Sequence, residues 1–173
     1  MKIAFMGAGS TIFAKNIIGD CILTPELGEF EVFLHDIDPQ RLEDSERILK
    51  TINNTHNGKC TIKASLNRRE ALKDADYVVN AIQVGGLECT LTDFEVPKKY
   101  GLQQTIADSM GIGGIFRALR TIPVMQDFAN DIEELCPNAL FLNHSNPMSM
   151  LTGYMLKHTK VRTVGLCHSV QVV

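Results

Sequence analysis

Two periodicities of apolar residues alternate along the chain. Short, mostly apolar runs suit buried strands, and they occupy residues 2–7, 31–38, 60–65, 77–82, 138–147 and 161–169. Between several of these runs the apolar positions recur at helical spacing, at residues 10–20, 39–56, 92–102, 115–135 and 148–158. Short apolar runs that alternate with amphipathic helices are typical of a parallel sheet covered by helices on both faces.

Six strands in two halves predict an α/β fold, a Rossmann-like doubly wound sheet that is mainly parallel. Ser10 is a plausible cap for the first helix, and Pro39 opens the second. Residues 83–88 are expected to form a flexible loop, residues 103–114 a polar one. Pro123 is expected to kink or break the long helix because it lacks a backbone N–H.

Composition narrows the functional classes. The 173 residues, 45% hydrophobic, suit one soluble globular domain spanning 1–173, and the net charge of -3 is interspersed. No basic track for nucleic acid, signal-peptide core or membrane-spanning run is present, so we expect a cytoplasmic protein without nucleic-acid or membrane partners. The five scattered cysteines include no C-x-x-C pair and indicate neither a disulfide framework nor structural zinc.

The first strand ends in a glycine-rich turn that carries most of the dinucleotide fingerprint G-x-G-x-x-G. Gly7 would permit the bend, Gly9 would let a pyrophosphate approach the backbone, and the hydroxyls of Ser10 and Thr11 could donate to it. Ile12 stands in place of the third glycine, a change expected to alter helix packing while preserving the anion site. An ordinary glycine turn is the alternative.

Acidic residues follow the second strand. Asp36 lies near the offset expected of a carboxylate that binds the adenosine ribose, and an acid there favours NAD over NADP by charge repulsion. The alternative is that this segment only caps the next helix, a role that suits Asp38 before Pro39.

Further polar residues fall at the carboxyl ends of later strands, where nucleotides bind in such sheets. Asn80 and Gln83 follow the fourth strand and are candidate cofactor contacts. Asp108, ahead of a glycine-rich segment, suits a positioned acid, although a solvated loop carboxylate is the plainer interpretation. Cys167 beside His168 could offer a metal thiolate, although a cysteine is more often a core residue.

In order, the segments GAGS, DID, ADSMGIGGIFRALRTIP, NHSNPM and GLCHS resemble the NAD- and divalent-metal-dependent glycosidases of glycoside hydrolase family four. The resemblance runs from the first strand to the last residue. The family's opening motif is G-x-G-S and needs no third glycine, which accounts for Ile12. Its members are exceptions to hydrolysis by two carboxylates.

The resemblance implies a redox-elimination route. NAD+ accepts hydride from C3 of the sugar, the ketone acidifies the C2 proton, a base removes it, and the aglycone departs. Water then adds and the hydride returns, so no net oxidation results. A divalent ion, usually Mn2+, holds the C2 and C3 oxygens as a Lewis acid.

Residue by residue, the resemblance implies that Cys167 is a metal ligand and Asn146 a substrate-binding amide. Asp108 or His168 protonates the departing oxygen, and both assignments stay open. A histidine directly after the cysteine, here His168, resembles the sequence of family members that act on unphosphorylated α-galactosides or α-glucosides. The whole run is closest to melibiase-type bacterial α-galactosidases.

Two features of the chain depart from the family pattern. Ile112 stands where proline is frequent, and the second metal-binding histidine and the general base normally lie beyond Val173. We therefore expect a further C-terminal domain to complete the substrate and metal sites, no hydrolysis by residues 1–173 alone, and a homo-oligomer for the full-length protein.

Two other functions remain open. A lactate- or malate-type dehydrogenase shares the topology and the cofactor, but usually keeps the third glycine and lacks the NPM and GLCHS segments. A truncated NAD-binding module without catalysis is the other alternative.

Overall fold

The computed structural model describes residues 1–56 and 58–167. Its strands are β1 Lys2–Met6, β2 Phe30–His35, β3 Cys60–Ser65, β4 Tyr77–Asn80, β5 Leu140–Asn143 and β6 Arg162–Gly165. Its α-helices are α1 Thr11–Ile22, α2 Pro39–Thr55, α3 Arg68–Leu72, α4 Gly86–Lys98, α5 Gly111–Leu135 and α6 Met148–His158, with a 3-10 turn at Pro25–Leu27.

The six strands form one sheet in the order β3-β2-β1-β4-β5-β6, and every neighbouring pair is parallel. This confirms the predicted Rossmann-like fold, in which strand order reverses beside the first strand. The register pairs Met6 with both His35 and Asn80, and Asn80 with Asn143. The four central strands therefore end level, and their loops emerge side by side.

Alternation along β1 divides the core between the two faces of the sheet. Ile3 and Phe5 pack on the face that holds Ile18 of α1 and Leu49 of α2. Ala4 and Met6 pack on the other face, whose buried cluster draws Met125 and Phe128 from α5 and Leu151 from α6. Helices cover both faces, so the central strands have no solvated side.

Two helices begin earlier than the sequence predicts. α4 starts at Gly86 and occupies part of the expected flexible loop, while α5 starts at Gly111 and occupies the end of the expected polar loop. The early turns of α4 expose Leu87 and Leu91, so no apolar stripe marks them. The first turn of α5 is glycine-rich, a composition that ordinarily disfavours helix.

Pro123 does not break α5, which runs from Gly111 to Leu135. Proline removes the hydrogen bond to the carbonyl four residues earlier, that of Leu119. Leu119 is 64% exposed, so water can reach this turn, while Met125 and Phe128 beyond the proline are buried against the sheet. The packing of these side chains against the sheet thus outweighs the loss of one backbone hydrogen bond.

The expectation that Ile12 alters packing was wrong. Its side chain is 71% exposed, and α1 packs inward through Ala14 and Ile18 instead. A third glycine is unnecessary here because the side chain at this position points away from the sheet.

None of the helices in the described part of the chain combines the length and apolar character needed to cross a membrane.

Gly7 is expected to tolerate no side chain. Its φ is +84°, and a Cβ there would lie 2.8 Å from the backbone carbon and oxygen of Ala81. We predict that Gly7→Ala lowers the free energy of unfolding by about 2–4 kcal/mol, from left-handed strain plus overlap. The matched control is Gly153→Ala in α6, where a Cβ meets nothing within 4 Å. Chemical denaturation should show Gly153→Ala unchanged or stabilised, and equal curves for both variants would contradict the prediction.

Candidate functional site

Loops at the carboxyl edge of the sheet enclose two adjoining clefts. The first, of about 660 Å³, is lined by the glycine turn after β1, the acids after β2 and the loop after β4. The second, of about 750 Å³, is lined by the start of α1, the loops after β4 and β5, and the segment before α5. Four residues line both clefts: Ser10, Ala81, Ile82 and Gln83. The two spaces therefore share one wall.

The glycine turn forms one wall of the first cleft. The N–H groups of Gly7 and Ala8 both donate to the His35 carbonyl at 3.0 Å, which fixes the turn against β2. Ser10 precedes α1 but makes no side-chain cap bond, so its hydroxyl is available to a ligand. The N–H groups in the first turn of α1 lack intrahelical acceptors, as at every helix start. This end of α1 can bind an anion.

Asp36 and Asp38 have different roles. The Asp38 side chain accepts from the N–H groups of Gln40 and Arg41 at 3.0 and 3.1 Å and thus caps α2. The Asp36 carboxylate lies in the first cleft and accepts from the N–H groups of Gly9, at 2.7 Å, and of Asp38, at 3.0 Å. A Cβ at Gly9 would lie 2.7 Å from that carboxylate. Glycine at this position therefore admits the acid as well as a ligand.

Asn80 does not reach either cleft. It is fully buried, and its amide donates to Asn143 Oδ1 at 2.9 Å and to the Ser145 hydroxyl at 3.1 Å. Ser145 in turn donates to the Ile82 carbonyl at 2.8 Å. The side chain predicted to contact cofactor instead ties the loop after β4 to the loop after β5.

Thr11 also lies outside both clefts. Its hydroxyl is 3.5 Å from the Gly9 carbonyl and 3.4 Å from the Ser45 hydroxyl. Those contacts connect the start of α1 to α2. Of the two predicted hydroxyl donors, only Ser10 faces a cleft.

The loop after β4 is held by an ion pair that the sequence did not reveal. Arg120 of α5 binds both carboxylate oxygens of Asp93 in α4, at 3.1 and 2.7 Å, and its Nε donates to the Val84 carbonyl at 3.0 Å. Asp93 is buried. Bidentate geometry and burial make such pairs directional. Gln83, in the same loop, donates to the Gly86 carbonyl and the Thr90 hydroxyl.

Asp108 and Asn146 meet in the second cleft. Asn146 donates its amide to Asp108 Oδ2 at 3.2 Å, and the Ser109 hydroxyl donates to Oδ1 at 3.0 Å. Arg117 of α5 lines the same cleft, and its Nε donates to the Asn146 carbonyl at 3.1 Å. A carboxylate, an amide and a guanidinium thus converge where a polyhydroxylated ligand could bind.

His144 is a further cleft residue without an assigned role in the sequence analysis. Its ring lies 6.2 Å from that of Phe13, centroid to centroid, and both residues line the second cleft. Burial lowers the pKa of His144 below its ordinary value, so the neutral imidazole predominates near neutral pH. Its position in a loop after β5 was the available signal.

The predicted metal ligand lies at the end of the described chain. Cys167 is half-buried two residues after β6, and Leu166 donates its N–H to the Asn143 carbonyl at 2.9 Å. His168, the alternative acid, lies outside the described residues. Within residues 1–56 and 58–167, no three histidine, cysteine or acidic side chains cluster as a metal site. Cys167 is at most one ligand of a larger set.

The parallel sheet, the glycine turn and the cleft beside it define a Rossmann-like nucleotide-binding domain. The family model described as family 4 glycosyl hydrolase matches residues 2–173. The chain therefore belongs to family 4 of the glycosyl hydrolases.

Two relatives illustrate this membership. The chain is 59% identical over 172 residues to an alpha-galactosidase of Bacillus subtilis, covering 99% of this chain and 40% of that protein. It is 42% identical over 171 residues to an alpha-galactosidase of Rhizobium meliloti, covering 98% of this chain and 35% of that protein. The chain thus spans two fifths or less of the length of these relatives.

Solved structures of the 6-phospho-beta glucosidase from Thermotoga maritima have the same fold. One contains NAD and glucose-6-phosphate and matches with a TM-score of 0.85 at 26% identity, covering 99% of this chain and 41% of that chain. Another contains manganese, NAD+ and glucose-6-phosphate and matches with a TM-score of 0.82 at 25% identity, covering 97% and 40%.

The environment of His144 gives a prediction about its titration. Because burial lowers its pKa, we expect the imidazole to titrate below 6.5, the ordinary value for histidine. Phe13→Ala should raise that pKa by admitting water. At pH values between the pKa of the folded state and 6.5, His144 is mainly protonated in the unfolded state and mainly neutral in the folded state. Its contribution therefore lowers the free energy of unfolding as the pH falls through this window. NMR titration of the His144 ring in the wild type and in Phe13→Ala measures the two pKa values. A wild-type pKa at or above 6.5 would refute the prediction.

Proposed function

We propose that the protein containing this chain is a glycosidase that hydrolyses α-galactosides, or α-glucosides, with NAD+ and a divalent metal, usually Mn2+. The observation that carries the proposal is the convergence of Asp108 and Asn146 in a cleft that shares a wall with the glycine turn. The two alpha-galactosidase relatives support the choice of galactosides.

The first cleft fits a dinucleotide. Gly7 and Gly9 leave its wall without side chains, Ser10 offers a hydroxyl, and α1 presents its N-terminus. Asp36 retains lone pairs for ribose hydroxyls after accepting from two backbone N–H groups, and its charge disfavours a 2′-phosphate. Gln83, which lines both clefts, would lie where the nucleotide passes towards the sugar. Asn80 holds this loop in place through its hydrogen bonds to Asn143 and Ser145.

The second cleft would receive the sugar. The Asn146 amide suits a sugar hydroxyl, since it can donate and accept hydrogen bonds. Asp108 would hold a proton for the departing glycosidic oxygen, with His168 as the alternative donor. When bound, NAD+ would take and return a hydride and the metal would polarise the sugar oxygens.

The metal assignment rests on a single donor within the described residues, the half-buried Cys167 thiol. A thiolate suits a borderline transition metal better than a hard cation such as Mg2+. The remaining ligands and the general base would come from residues outside this chain. The cytoplasmic location and the homo-oligomeric full-length protein are parts of the same proposal, as is the inactivity of residues 1–173 alone.

The proposed activity is tested by hydrolysis of a nitrophenyl α-galactoside by the complete gene product under reducing conditions. NAD+ and Mn2+ are omitted one at a time, and a nitrophenyl α-glucoside is compared in parallel. We expect release of nitrophenol only when both are present, because hydride transfer and Lewis-acid catalysis serve the same turnover.

Other outcomes would select an alternative. Hydrolysis without NAD+ and Mn2+ would contradict the redox-elimination route. Steady NADH formation on a hydroxy acid without hydrolysis would indicate a dehydrogenase. Cofactor binding with neither reaction would indicate a non-catalytic NAD-binding module.

The two acids after β2 give a matched pair of variants. Asp36→Asn replaces one acceptor oxygen with a donor facing a backbone N–H, so we expect NAD+ affinity to fall on the order of tenfold or more. Asp38→Asn should change affinity little, because asparagine caps helices about as well as aspartate. Titration with NAD+ by calorimetry measures both. Equal losses in the two variants would contradict the ribose assignment of Asp36.

A further inference from the structure

Arg117 has an unusual position among the basic residues of the chain. It lies on α5, lines the second cleft, and donates from Nε to the Asn146 carbonyl at 3.1 Å. Asn146 donates in turn to Asp108 at 3.2 Å. The guanidinium therefore contacts Asn146, one of the two residues, with Asp108, on which the proposed sugar site depends.

The charge of Arg117 also acts on this cluster. Burial lowers the pKa of Arg117, and the nearby Asp108 carboxylate partly offsets that effect by attraction. Arg120, the next arginine on the helix, is occupied by Asp93 and the Val84 carbonyl. Among the described residues that line this cleft, Arg117 carries the single permanent positive charge.

The start of α5 explains how Asp108 comes close to this charge. A Cβ at Gly113 would lie 2.7 Å from the Ala107 side chain, and one at Gly114 would lie 3.0 Å from the Ser109 backbone. The segment carrying Asp108 therefore rests directly on the first turn of the helix. Residues three and four apart share a helix face, so Arg117 lies one turn further along the same face.

We propose that Arg117 is a positioning residue of the sugar site, which holds the Asn146 carbonyl by a charged hydrogen bond and, through the Asn146 amide, orients Asp108. The inference rests on the proposed glycosidase function and adds a residue to it. Arg117 acts through Asn146 and Asp108 and does not line the adjoining cleft that would bind NAD+, so its loss should affect turnover rather than cofactor binding.

The test compares Arg117→Met with a matched control, Arg47→Met, in the complete gene product. The side chain of Arg47 is 78% exposed on α2, where its ion pair with Asp44 lies at the surface. We expect kcat/KM for an alkyl α-galactoside, whose leaving group needs protonation, to fall on the order of 100-fold in Arg117→Met, the cost of small misplacements at a reacting centre. Measured without sugar, NAD+ affinity should stay within about twofold in both variants, because neither side chain lines the first cleft.

A double-mutant cycle separates positioning from a general structural role. In an Asp108→Asn background, Arg117→Met should lower kcat/KM by less than about tenfold, because the carboxylate it orients is already gone. The cycle uses the alkyl α-galactoside, at high enzyme concentration and with long incubations, so that the residual activity of this background is measured. An additive loss of the full 100-fold order would overturn the proposal.

Arg117→Lys keeps the charge but lacks the planar fork. We expect it to recover on the order of tenfold of the lost kcat/KM. If Arg117→Met does not fold by circular dichroism, the lysine variant is carried through the same cycle and decides the question. Wild-type hydrolysis with no loss in Arg117→Met would overturn this inference alone, whereas a wild type inactive on all glycosides would overturn the proposed function itself.

Discussion

The hydrogen bond between the buried amides of Asn80 and Asn143 holds the functional edge of the sheet together. These residues end neighbouring strands in register, and the Ser145 hydroxyl extends the network to the Ile82 carbonyl. Asn80 Oδ1 has no partner among the described residues, a cost of about 1–3 kcal/mol for a buried acceptor. The network nevertheless fixes the two loops that contribute Gln83, His144 and Asn146 to the clefts.

Local periodicity was enough to predict the fold. Five of the six strands lie within the apolar runs identified in the sequence, β2 begins one residue before its run, and the alternation with helices predicted the parallel sheet. The same reasoning found much of the site, because parallel strands place their carboxyl ends at one edge. Ser10, Asp36 and Gln83 line a cleft as this reasoning predicts, and so do Asp108, which was identified ahead of a glycine-rich segment, and Asn146, which the family resemblance implied.

Features that depend on contacts between distant segments could not be predicted in this way. The helical start of α5 depends on Gly113 lying against Ala107, and the loop after β4 depends on an ion pair between α4 and α5. Asn80 has the right place along the strand for a ligand contact, yet alternation turns its side chain towards Asn143. Periodicity predicts which strand end a residue occupies, whereas tertiary packing decides which way it points.

The wall shared by the two clefts has a thermodynamic consequence. Ser10, Ala81, Ile82 and Gln83 border both spaces, so a molecule seated in one cleft contacts residues that also line the other. Whatever factor a first occupant applies to the affinity of a second, the second applies to the first, because equilibrium linkage is reciprocal. Any equilibrium coupling between the two occupants would therefore act through this four-residue partition rather than through either cavity alone.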